Sequence, residues 1–146
     1  HEQVGLAGCF SIAEYDRDVI RKHERTRRDK EDDRTRHMLT LGAQTGPVFL
    51  TYRATADVND IASRVTQEAP LVDFSASDGV QHTLWRVAGA DCAALVAAFT
   101  RVPVLYIADG HHRAASAART LEVLREQGRP VEGVGDGAGA DPVMAV

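Results

Sequence analysis

Asp109, Gly110, His111, His112 and Arg113 follow one another where an apolar run gives way to an alanine-rich stretch. Residues 104–108 read as a buried strand, and residues from about 111 to 127 read as a helix that Gly128 stops. A strand-to-helix junction leaves backbone N–H groups unpaired at the positive end of the helix, which suits an anion. Gly110 lets a ligand approach the backbone closely, because it has no side chain and tolerates positive φ. Arg113 offers a planar fork for two phosphate oxygens. His111 and His112 can donate hydrogen bonds, and an anion beside them would favour their protonation. Asp109 can ligate Mg²⁺ or orient a histidine. The plainer alternative is also physical: Asp109 caps the helix for about 1 kcal/mol, the histidines lie on the surface, and Arg113 pairs with a carboxylate.

Zinc is a poor fit for the same residues. Adjacent histidines on a helix point about 100° apart and do not converge on one ion. The chain has no H-E-x-x-H and no Cys/His cluster, and His37 and His82 could join only through tertiary packing. No metal site is therefore assigned.

A second group of polar residues is Lys22-His23-Glu24-Arg25-Thr26. A carboxylate among cations stays ionised. If it faced a bound hydroxyl compound, Glu24 could act as general base or metal ligand. The structural alternative is a solvated charged face. The surrounding residues 17–36 hold nine Lys/Arg against six Asp/Glu, a local positive excess in a chain whose net charge is −4.

The elements that would position these groups alternate irregularly. Residues 4–12 and 47–52 read as strands, and residues 30–43 as a helix ending near Gly42 and Gly46. Residues 57–68 carry Val58, Ile61, Ala62 and Val65 at helical spacing. Residues 70–74 and 80–87 read as a hairpin around a 75–79 turn, with Trp85 inside. Residues 90–100 form an alanine-rich helix closed by Val102-Pro103, and residues 141–146 look like a strand. The glycine-rich stretch 133–139 precedes a strand instead of opening a helix, so it reads as a flexible connection and not a nucleotide fingerprint. The expected fold is α/β (or α+β), a mixed sheet with flanking helices, within a single domain or a fragment of a longer multidomain chain.

Composition narrows the function classes. A net charge of −4 argues against a dedicated nucleic-acid binder, so DNA is an improbable partner. No apolar run is long enough to span a membrane, and Cys9 and Cys92, far apart, read as buried free thiols of a cytoplasmic protein. The start at His1 without a methionine and the stop at Val146 inside a strand suggest a fragment.

Five strings together resemble one family. They are RKHERT (21–26), EDDR (31–34), GPVFLTY (46–52), HTLWRV (82–87) and YIADGHHR (106–113). In order and spacing they are similar to the microbial family named domain of unknown function 1015, across nearly the whole chain. The DGHHR string also resembles the nucleotide-binding turn of the ParB/sulfiredoxin-like superfamily, which includes archaeal ADP-dependent free-serine kinases. That resemblance implies a ParB/sulfiredoxin-like nucleotide-binding element, with ADP or ATP and Mg²⁺ as cofactors. Gly110, His111, His112 and Arg113 would hold the phosphates. Glu24 would be the catalytic base, and Asp109 would assist with Mg²⁺ or substrate. Sulfiredoxin chemistry is not implied, because it needs a cysteine where His111 stands. The function so implied is a nucleotide-dependent phosphotransferase acting on a small hydroxylated metabolite, free serine first. The alternatives are a non-catalytic nucleotide-binding switch of the ParB type, and a structural piece whose chemistry lies elsewhere.

Overall fold

The computed structural model describes residues 1–129 and 143–145. The chain divides into two compact units, one formed by His1–Tyr52 with Val104–Val146 and the other by Arg53–Pro103.

The first unit is built on a three-stranded mixed sheet. Its order is β2 (Ile20–Arg21), β6 (Leu105–Asp109), β3 (Phe49–Thr51), with β6 in the middle. β2 runs parallel to β6, and β3 runs antiparallel to it. β6 is paired along both edges, but the buried strand expected over 104–108 is buried only at alternate residues. Leu105 and Ile107 point inward and are buried, while Tyr106 turns out. There the Arg21 guanidinium lies 5.9 Å from the Tyr106 ring centroid. The mixed sheet with flanking helices agrees with the expected architecture.

Two helices of this unit pack against each other, α2 (Arg28–Leu41) and α5 (His111–Glu126). Their hydrogen bonds advance together along both chains, from Arg27 with His112, to Glu31 with Ser116, to Met38 with Thr120. The helices therefore run parallel, with both N-terminal ends at the C-terminal end of β6. Gly42, at φ 65°, stops α2 in the left-handed conformation, as the sequence suggests.

Residues 4–12 differ from the strand expected there. Only β1 (Cys9–Ser11) is extended, and Ile12–Asp16 forms a short helix, α1. The Ser11 hydroxyl accepts the Glu14 N–H at 3.4 Å, and Ile12 and Tyr15, three apart, bury the same face. A side-chain cap and helical spacing outweigh β-propensity here. β1 pairs antiparallel with β7 (Val143–Ala145), within the strand expected over 141–146.

The second unit contains α3 (Ala56–Val65), the hairpin β4 (Val72–Ser75) and β5 (Gln81–Leu84), and α4 (Gly89–Phe99). Val58, Ile61 and Val65 on α3, with Ala98 and Val102, form its core. Asp57 pairs with Arg101 at 2.5 Å, and Arg64 pairs with Asp91. The helices and hairpin fall where the sequence places them. β5 ends at Leu84, however, so Trp85 leaves the ladder, and its indole N–H donates to the Glu68 carbonyl at 3.0 Å.

Cys9 and Cys92 are free but exposed, not buried. The 133–139 stretch lies outside the described residues. No helix among the described residues is long and apolar enough to cross a membrane.

Candidate functional site at the β6–α5 turn

β6 reaches the turn through a local irregularity. Leu50 lies opposite Ile107 but Phe49 lies opposite Asp109, so Ala108 is the extra residue of a bulge. Bulges bend and twist a strand and re-aim the residues beyond them. Gly110 then adopts φ 94°, ψ 26° and serves as the N-cap of α5, with no side-chain cap. The capping role open to Asp109 is therefore not the one it takes. The first helical hydrogen bond runs from the Ala114 N–H to the Gly110 carbonyl at 2.9 Å. The N–H groups of His111, His112 and Arg113 thus stand ahead of the helical ladder, at its positive end.

Asp109 instead binds Arg113, its carboxylate accepting from the guanidinium at 2.5 Å. This arginine folds back across two glycines. A Cβ at Gly110 would lie 3.0 Å from Arg113 Nε, and a Cβ at Gly46 would lie 3.0 Å from its Cδ. Both positions therefore keep room for the guanidinium, and at Gly110 the backbone also excludes a side chain. The part played by Gly46 is not legible locally, since it reads as a helix stop.

The two histidines occupy different environments. His112 Nε2 accepts the backbone N–H of Arg27, the N-cap of α2, at 3.1 Å. When neutral, this ring therefore carries its proton on Nδ1, and the contact ties the two helix N-termini together. Ser116, fully buried, adds a second tie by donating to the His112 carbonyl at 2.7 Å and the Glu31 carbonyl at 3.3 Å.

His111 is buried, with 5% of its surface exposed, so its ring does not present itself on the surface. Its Nδ1 lies 3.6 Å from a Glu24 carboxylate oxygen, and the His23 ring meets it edge-on at 4.4 Å. Its Nε2 is buried with no hydrogen-bond partner among the described residues. The structure thus brings Glu24, more than half exposed, to the turn that carries Asp109, Gly110, His111 and Arg113. His23 and Arg27 belong to the site although sequence reasoning gave them no role. The adjacency of His23 to Glu24 in RKHERT was the available signal for it, whereas Arg27 lies outside that string.

Burial, then the charge of His23, holds the His111 pKa below its ordinary value of 6.5, against the opposing pull of Glu24 and Asp109. His112 also lowers it. The unfolded chain therefore binds a proton at this ring more readily than the folded one. Stability contributed here is present above the ordinary histidine pKa and is lost as pH falls below it towards the folded value. The urea midpoint is expected to be lower at pH 5.5 than at 7.5, and His111→Asn should shrink that difference. An equal difference in the variant would assign the pH dependence to other groups.

The turn gathers first-turn N–H groups behind a glycine, an arginine paired with Asp109 and a histidine whose Nε2 faces the Arg27 N–H, donor types that an anion can accept. Mg²⁺ is commonly held by one or two carboxylates together with phosphates. The carboxylates at the turn are Asp109, which is paired with Arg113, and Glu24. Among the described residues, no group of three or more His, Cys, Asp or Glu side chains could hold a metal ion by itself.

No curated protein and no solved structure matches the chain. A family model does, described as "Protein of unknown function (DUF1015)", and it matches residues 1–146. The five strings that suggested this family are spread over both units, and the match spans them all. The chain belongs to the DUF1015 family.

Proposed function

We propose that the 109–113 turn holds the phosphates of ADP or ATP, and that the protein transfers a phosphoryl group to a small hydroxylated metabolite, free serine being the first candidate. The observation that carries this reading is the approach of Glu24 to the turn, 3.6 Å from His111, by two stretches far apart in the chain. Groups serving one transfer must converge. The resemblance of DGHHR to ParB/sulfiredoxin-like turns supports nucleotide phosphate as the anion.

Each residue then has a role. The first-turn N–H groups, the Nδ1–H of His112 and the Arg113 guanidinium bind and orient the phosphate oxygens. Gly110 lets them approach the backbone. Glu24 takes the proton from the substrate hydroxyl, whose oxygen bonds to the terminal phosphorus as the bond to the nucleotide breaks. The nucleotide supplies the phosphoryl group, and Mg²⁺ beside Asp109 would offset its charge. His111, buried against Glu24, positions that carboxylate. Such chemistry belongs in the cytoplasm, where nucleotides are plentiful.

The test is to incubate the full-length protein with ADP or ATP, Mg²⁺ and a panel of hydroxyl compounds led by serine, and to follow ³¹P NMR. A new phosphomonoester is expected. Tight nucleotide binding without transfer to any compound would leave a nucleotide-binding switch, the ParB-like alternative. Absence of nucleotide binding would remove the phosphate reading of the turn.

A further inference from the structure

Between α2 and α5, beyond the turn, lies an open groove of about 320 Å³ lined in part by Asp32, Thr35, Arg36, Leu39, Arg119 and Val123. Arg119 stands six residues past Arg113, about 9 Å further along the α5 axis at the rise of a helix. The groove is thus separate from the 109–113 turn. Its volume falls at the lower end of small-ligand pockets.

Its lining combines three chemistries. Leu39 and Val123, both partly exposed, supply an apolar floor. Asp32 and Arg119 form an ion pair between the two helices. Arg36 holds Asp33 at 2.7 Å, but both side chains are more than 70% exposed, so this contact yields readily to a competing anion. Thr35 is a buried residue of the lining.

We propose that this groove binds a free aliphatic α-amino acid. A simple anion would meet the Asp32 carboxylate, and a simple cation would meet two guanidinium groups. A zwitterion satisfies both signs: its ammonium faces Asp32, and its carboxylate faces Arg36 and Arg119. A branched hydrocarbon side chain covers Leu39 and Val123. The inference rests on the lining of the groove and not on the nucleotide reading.

The test uses L-leucine as probe in a calorimetric or ligand-observed NMR titration of the full-length protein, without nucleotide. 4-Methylvalerate lacks the ammonium group and isoamylamine lacks the carboxylate, and these are the two controls. Leucine is expected to saturate, binding at least about tenfold more tightly than either control. Arg119→Gln, a partly exposed position, and Val123→Asp should each weaken leucine binding by about fivefold or more, with helical circular dichroism unchanged. If Val123→Asp unfolds the chain, Arg119→Gln alone decides. No saturable leucine binding, a control that binds as well as leucine, or binding that survives Arg119→Gln would overturn the proposal. Each result is obtained without nucleotide, so it stands whatever the phosphotransfer assay returns.

Discussion

Glu24→Gln is expected to lower phosphoryl transfer by about 10²–10⁴-fold while leaving nucleotide affinity unchanged, the range lost with a positioned general base. Glutamine keeps the size of the side chain and an oxygen that can face His111 Nδ1, but it cannot take a proton from a hydroxyl at neutral pH. The substitution therefore separates proton transfer from positioning. Glu24 stands more than half exposed, so the variant should fold. Steady-state kinetics with the substrate found in the phosphotransfer assay, beside a nucleotide titration, give both numbers. Unchanged turnover would take the base role from Glu24. Loss of nucleotide affinity along with turnover would instead make it part of the phosphate site.

The largest expected effect on stability is at Ile107. It is fully buried in the central strand of the sheet, immediately before the bulge that leads into the 109–113 turn. Ile107→Ala is expected to cost about 2–5 kcal/mol, the sum of lost burial and the cavity left behind. Tyr106→Ala, one residue away on the exposed face, should cost less than about 1 kcal/mol. The choice of probe matters. The single tryptophan, Trp85, lies in the Arg53–Pro103 unit, so its fluorescence reports the wrong part of the chain. Amide exchange of the β6 residues in urea follows the right one. Equal losses at the two positions would contradict the inward and outward faces of β6.

The strand, turn and helix around Gly110 were legible because three local signals agree there: an apolar run, a glycine, and a long alanine-rich segment. The α3 stripe and the β4–β5 hairpin were legible for the same reason. Misreadings arose where local signals compete. Residues 4–12 have the composition of a strand, yet Ser11 caps a helical turn whose buried residues are three apart. β2 is two residues long inside a charged segment, and its place in the sheet rests on Ile20 packing beside Leu105. No local pattern announces so short a parallel strand. The site shows the same division. Its glycine turn could be read from order along the chain. The contact of Glu24 with His111, and the cradle that Gly46 makes for Arg113, depend on tertiary packing. The family resemblance brought Glu24 forward, whereas Arg27 emerged from geometry alone.

β3 and β6 are antiparallel neighbours, with Thr51 opposite Tyr106, yet the whole Arg53–Pro103 unit is threaded between them. An ordinary hairpin would close the same gap with two to five residues, as roughly expected for such loops. The sheet asks of this excursion only that its two ends stand one strand spacing apart, about 4.8 Å. The entropy of closing a loop grows only logarithmically with its length. Insertions or deletions within the excursion therefore leave the register of β6 and the 109–113 turn intact. One residue added between Ile107 and His111 would displace every group of the turn. The chain thus has a segment open to change in length and a short span in which length is fixed, and the two lie next to each other in the sequence.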